Sequence, residues 1–282
     1  MKFALRYYRT LLAGAFRLTR VFMTVSYIYF TASIVISLAK YGFDSSIIFN
    51  IVMLFVPVVV VIIAAAVLEI RSYPYLRTLN SCGYCAETLE QFLKIQKGRP
   101  MNYKTTLQYT GLLHGMDRTE EAWKLLCGME IPEKDVINRV GRFYQLELCA
   151  IKMERRDLTD NIWSSNSALI DKCRAGGQDT CRIPLLMLTM IYADCFAGRF
   201  ERALEQLDGF LGGKLPADID NLLPEFHVIR VYILNALDRK EEARREEEQT
   251  RRMIASRTFV FDFERQRCGN DLDRAAAGIL PV

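Results

Sequence analysis

The chain has 282 residues, a formal net charge of +4 and 51% hydrophobic residues, with a positive mean hydropathy. Five positive charges, Lys2, Arg6, Arg9, Arg17 and Arg20, fall in the first twenty residues with no acid among them, which leaves the remainder near −1. That balance excludes a basic nucleic-acid binder over the body of the chain, and the length admits one helical domain of roughly 200 residues beside an apolar N-terminal region.

Residues 1–20 read as a basic amphipathic segment, suited to an anionic membrane surface or to setting topology. Val21–Leu38 and Ile47–Leu68 follow, each without a charge. At about 1.5 Å per residue they are ~27 and ~33 Å long, enough for a ~30 Å hydrocarbon core. Ser37-Leu38-Ala39 also fits a signal-peptide cleavage triplet, but a second apolar run only eight residues later favours a hairpin of two spans, 21–38 and 47–68. The charge asymmetry across the first span then predicts an integral membrane protein with both termini cytoplasmic and residues 71–257 forming a cytosolic domain.

Beyond residue 75 the pattern is helical and repetitive. In Pro184–Leu207, Pro184 suits a first helical position, and Leu185, Leu188, Ile191, Tyr192 and Cys195 share one face. Gly198 allows a turn with positive φ. Phe200, Ala203, Leu204 and Leu207 open a second apolar face. Equivalent turns are expected at Gly83, Asp117, Arg156, Gly198 and Asp238, spaced 34, 39, 42 and 40 residues apart. Five residues after each stand Thr88, Ala122, Asn161, Ala203 and Ala243. Pro184 and Pro224 share a register, each 14 residues before its turn. A helical hairpin of this kind needs neighbours to bury its apolar face.

Gly198-Arg199-Phe200-Glu201-Arg202-Ala203-Leu204 resembles the inner turn of the tetratricopeptide repeat family, and the resemblance extends over about residues 75–257. It implies an all-α chain whose 71–257 region is a TPR-like α-solenoid of helix–turn–helix repeats, followed by a tail, 258–282. Where the family prefers Gly in the first helix, this chain has Thr110, Cys149, Ile191 and Val231, and its period exceeds the family's. The resemblance further implies a groove along the first helices that holds a protein or peptide partner. Carried over, the groove positions are Lys104, Leu107, Phe143, Leu146, Leu185, Leu188, Tyr192, Val228, Tyr232 and Asn235. Phe259, Phe261 and Phe263 predict that the tail docks back on the array.

Chemistry is sparse. Cys82-Gly83-Tyr84-Cys85 is a CxxC of the kind that supports disulfide exchange at a helix start, but no strand pattern frames it. His114 and His227 complete no zinc site, and no phosphate loop or nucleophile elbow occurs. No catalytic residue, metal site or cofactor is expected. The expected function is a non-enzymatic, membrane-tethered scaffold or adaptor. The alternatives are a membrane-bound redox protein using Cys82 and Cys85, or an accessory subunit of a transport or secretion complex.

Overall fold

The computed structural model describes residues 27–36, 38–40, 73–96, 100–175, 184–213, 215, 219, 222–259 and 261–282. The chain forms two compact units, Met1–Arg77 and Thr78–Val282.

In the first unit, residues 27–36 and 38–40 are helical and expose Ile28, Tyr29, Val35 and Ile36. The integral-membrane placement with two spans is corrected here. Among the described residues no helix is long and apolar enough to cross a membrane. Residues 27–36 rise about 15 Å, half of a ~30 Å hydrocarbon core. The segment 1–20, residues 21–26 and Ser37 of the first expected span, and all of Ile47–Leu68 lie outside the described residues.

Every regular element among the described residues is helical and none is a strand. Five hairpins follow one another. Residues 73–82 (α1) pair in sequence with Ala86–Gln96 (α2), Tyr103–Gly115 (α3) with Thr119–Cys127 (α4), and Val136–Lys152 (α5) with Arg156–Ala175 (α6). Pro184–Phe196 (α7) pairs with Phe200–Leu211 (α8), and Leu223–Ala236 (α9) with Lys240–Ser256 (α10); Asp262–Ala276 (α11) stands last.

Each hairpin bends at a residue with positive φ: Gly83 (64°), Asp117 (60°), Glu154 (55°), Gly198 (75°) and Asp238 (57°). At Asp117 its own N–H reaches His114 O and the N–H of Arg118 reaches Leu113 O. The same two bonds recur at Glu154, Gly198 and Asp238. This is a Schellman end, in which a left-handed residue satisfies carbonyls that the terminating helix leaves open. The turn expected at Arg156 is therefore two residues late: Glu154 carries it, with no Gly or Asn to mark the place.

With the turn at Glu154, the residue five positions on is Thr159 rather than Asn161. Thr88, Ala122, Thr159, Ala203 and Ala243 are then all buried, where the second helix comes close to the first. Seven positions before the turn, Thr110, Glu147, Ile191 and Val231 are buried too, so Glu147 replaces Cys149 in that register.

Successive first helices α3, α5 and α7 pack on one another, and α4, α8 and α10 each pack on the helix that follows. Leu148, Leu188, Ile191, Leu207, Phe226 and Ile233 join α5, α7, α8 and α9 in one core. Residues 258–282, expected as a tail, instead contain α11. Its sequence is mostly polar, but Cys268, Leu272 and Ala275 fall on one stripe and pack against Val228, Val231 and Ile254. The docking expected of the phenylalanines is present: Phe259 packs on this same cluster and Phe261 is buried.

Glu147 is fully buried with no hydrogen-bond partner for either carboxylate oxygen. Burial raises its pKa to about 7. A carboxyl raised in the folded state favours folding while it stays protonated. That advantage is complete below about pH 4.5 and disappears as pH rises to about 7. Glu147→Gln should match the parent chain at pH 4 and exceed it by on the order of 3 kcal/mol above pH 7. Denaturant titrations across that range check this; a pH-independent difference refutes it. Ala203 is fully buried, so Ala203→Leu should overpack its hairpin and cost about 1–3 kcal/mol in the same assay.

Candidate functional site

A cleft of about 570 Å3 runs across the hairpins of the second unit. Its wall is drawn from the first helices: Gly111 and His114 of α3, Tyr144, Gln145, Leu148 and Lys152 of α5, Tyr192 of α7 and Glu225 of α9. The α1–α2 turn contributes Ser81 to Tyr84. The opposite side is α11, with Phe263, Arg267, Asp271 and Arg274, and beyond it Pro281 and Val282.

The polar groups of the cleft are organised around Glu225. Tyr144 donates to its Oε1 at 2.5 Å and Tyr192 to the same oxygen at 3.3 Å. Burial, with Glu225 beside them, holds both phenols well above their ordinary pKa. Arg267 faces this group across the cleft. Burial works against its charge, but Glu225, Tyr84 and Asp271 hold the guanidinium firmly protonated. Burial raises the Asp271 carboxyl. Lys152 donates to Asp117 at 2.7 Å and to His114 O at 3.2 Å. Burial and the Lys152 charge lower His114 to about 4. Tyr84 fits beside Gly115 because no Cβ stands there: one would meet the Tyr84 ring at 2.1 Å.

Side chains of the cleft already hold main chain. Tyr192 donates to Pro281 O at 3.0 Å; outside the cleft lining, Asn235 Nδ2 donates to Ala275 O, at the C-terminal end of α11, at 3.2 Å. Gly278 (76°) repeats the left-handed turn after α11, and Arg274 donates to Val282 O at 3.1 Å, folding residues 279–282 back toward Tyr192.

The expected groove residues do not form one surface. Tyr192 lines the cleft, while Val228 and Asn235 contact α11 and Tyr232 is half-buried beside them. Leu107 and Leu188 are buried, Leu185 is half-buried, and Lys104 is exposed 3.8 Å from Asp135. Phe143 is buried against Trp163, and Leu146 lines a separate cavity between α4, α5 and α6. The two-residue error at Arg156 explains the α5 misplacement, because subtracting it turns Phe143 and Leu146 into Gly141 and Tyr144. The same register supplies Leu148 from the position of Tyr192 and Glu225 from that of Leu185. Arg267 and Asp271 had no such signal, since they sit on a helix that the periodicity did not show.

Among the described residues no group of three or more His, Cys, Asp or Glu side chains could hold a metal ion. Cys82 is exposed and Cys85 half-buried, both as free thiols. His227 lies 2.5 Å from Glu246 and is a partner of that carboxylate. Comparison of the chain with protein-family models, with curated proteins and with solved structures found no match.

Tyr192→Phe removes the donor to both Pro281 O and Glu225. It should cost roughly 0.5–1.5 kcal/mol, and less in a chain lacking residues 279–282, where one acceptor is already gone. A double-mutant cycle by denaturant titration measures that coupling. Equal cost in both backgrounds would show that Tyr192 does not hold the segment.

Proposed function

We propose that the chain is a non-enzymatic scaffold or adaptor: a TPR-like α-solenoid that binds a protein or peptide segment in the cleft between its first helices and α11. One observation carries the reading. Tyr192, which projects from a first helix into the cleft, donates to the main-chain carbonyl of Pro281 in the segment that follows α11. A donor that holds a chain by its carbonyl holds an extended peptide whatever its side chains, while neighbouring groups such as Tyr144, Glu225 and Arg267 select among sequences. The repeated left-handed turns, the buried small residues five positions later and the order of helix packing support the solenoid reading.

Photo-crosslinking tests it in the full chain. A benzoylphenylalanine at Asn270, exposed on the cleft side of α11, should give a discrete protein adduct in cells. The same residue at Arg252, exposed on α10, should not. Removal of residues 279–282 should strengthen the Asn270 adduct. Equal adducts from both positions, or none from Asn270, would refute binding through the cleft.

A further inference from the structure

The two residues between Cys82 and Cys85 are the ones on which α11 stands. A Cβ placed on Gly83 would lie 3.3 Å from the nearest ring carbon of Phe263, in the first turn of α11. The Tyr84 ring meets the Phe263 ring edge-on, with centroids 5.1 Å apart. Asp262 N–H donates to the Asn80 side chain at 3.0 Å, one turn ahead of the cysteine pair. Phe261 N–H is held by Glu264 at 3.3 Å, which fixes where the helix begins.

Each thiol has a hydroxyl neighbour of its own. Cys82 Sγ lies 3.3 Å from Ser81 Oγ, at the end of α1, and Cys85 Sγ lies 3.3 Å from Thr88 Oγ1, at the start of α2. A disulfide requires Cβ atoms about 3.5–4.5 Å apart and a C–S–S–C torsion near ±90°. Forming one draws the sulfurs off these partners and toward each other across Gly83 and Tyr84, the two residues that carry Phe263. Gly83 is left-handed at φ 64° and lies directly under the Phe263 ring, so a change of turn geometry there is felt at the start of α11.

We propose that Cys82 and Cys85 are a thiol–disulfide modification site, and that closing it releases the start of α11 from the α1–α2 turn. The oxidant is a low-molecular-weight disulfide. The Cys85 thiolate attacks one of its sulfurs, forming a mixed disulfide and expelling one small thiolate. The Cys82 thiolate then attacks Cys85 Sγ, closing the Cys82–Cys85 bond and expelling the second small thiolate. The two cysteines supply two electrons and their two protons, and the small disulfide leaves as two thiols. Cys85 suits the first attack. Burial raises its pKa, but the Thr88 hydroxyl and the N–H groups of Thr88 and Glu87 outweigh that and lower it overall. Cys127 is also exposed, yet burial raises its thiol, so it makes an internal comparison.

The test uses the full reduced chain equilibrated with glutathione disulfide. The peptide holding residues 82 and 85 should lose two hydrogen masses before Cys127 is glutathionylated. Amide exchange over Asp262–Ala276 should rise about tenfold as this happens, with α7 and α8 unchanged. Cys82→Ser should stop at the Cys85 mixed disulfide. Phe263→Ala should show the faster α11 exchange while fully reduced. The proposal is overturned if Cys127 reacts while Cys82 and Cys85 stay reduced, if the bridge closes without faster α11 exchange, or if Phe263→Ala leaves that exchange unchanged. None of these readouts depends on a partner in the cleft.

Discussion

A left-handed residue at the end of each first helix is the constraint on which the other features depend. It ends one helix and starts the next within three residues, so the two must lie against each other. The close approach then demands small side chains five positions on, which Thr88, Ala122, Ala203 and Ala243 supply. Three of the turns use Asp or Glu instead of Gly. For these residues the left-handed region is strained, and the two back-bonds at each turn offset that strain. The arginines that follow, Arg118, Arg155 and Arg239, are exposed and each clamp a nearby carboxylate. Such pairs contribute little to stability by themselves.

The all-helical class and four of five turn positions were legible because both follow from local chemistry: a 3.6-residue apolar period, and Gly or Asp where φ must be positive. Glu154 was not legible, because Glu does not announce a left-handed turn and the run Glu154-Arg155-Arg156-Asp157 reads equally well as helix. One shifted turn displaced every position inferred from it in α5. The helix α11 was hidden for another reason. Its core stripe is Cys268, Leu272 and Ala275, two of them small, and the rest of its surface faces water or the polar cleft. The cleft's ion and phenol chemistry is long-range: Tyr144 and Glu225 are 81 residues apart, and no period or motif connects them. The membrane expectation rested on uninterrupted apolar runs, and no described helix has that combination of length and apolarity.

Two titratable groups, the buried Glu147 and the half-buried His114, oppose each other. Glu147 stabilises the fold as pH falls from about 7 toward 4.5, because the folded carboxyl keeps its proton where the unfolded one does not. His114 does the reverse. Its folded pKa, lowered to about 4, means that the unfolded chain takes up a proton first, so stability is lost as pH falls below about 6.5. Over the window they share, the two slopes have opposite signs, and a flat stability profile there would conceal both.

The hold that Tyr192 has on Pro281 also bears on what affinity would mean under the proposed function. A segment tethered to its own receptor is present at a constant effective concentration that dilution cannot lower. If the proposed binding holds, an outside ligand for that donor binds only the fraction of molecules whose segment has left, and its apparent dissociation constant exceeds the intrinsic one by the reciprocal of that fraction. On that reading the cleft acts as a threshold. Ligands too weak to displace the segment register as non-binders, whereas a change that loosens α11 raises the affinity for every remaining ligand by the same factor, without altering one contact in the wall.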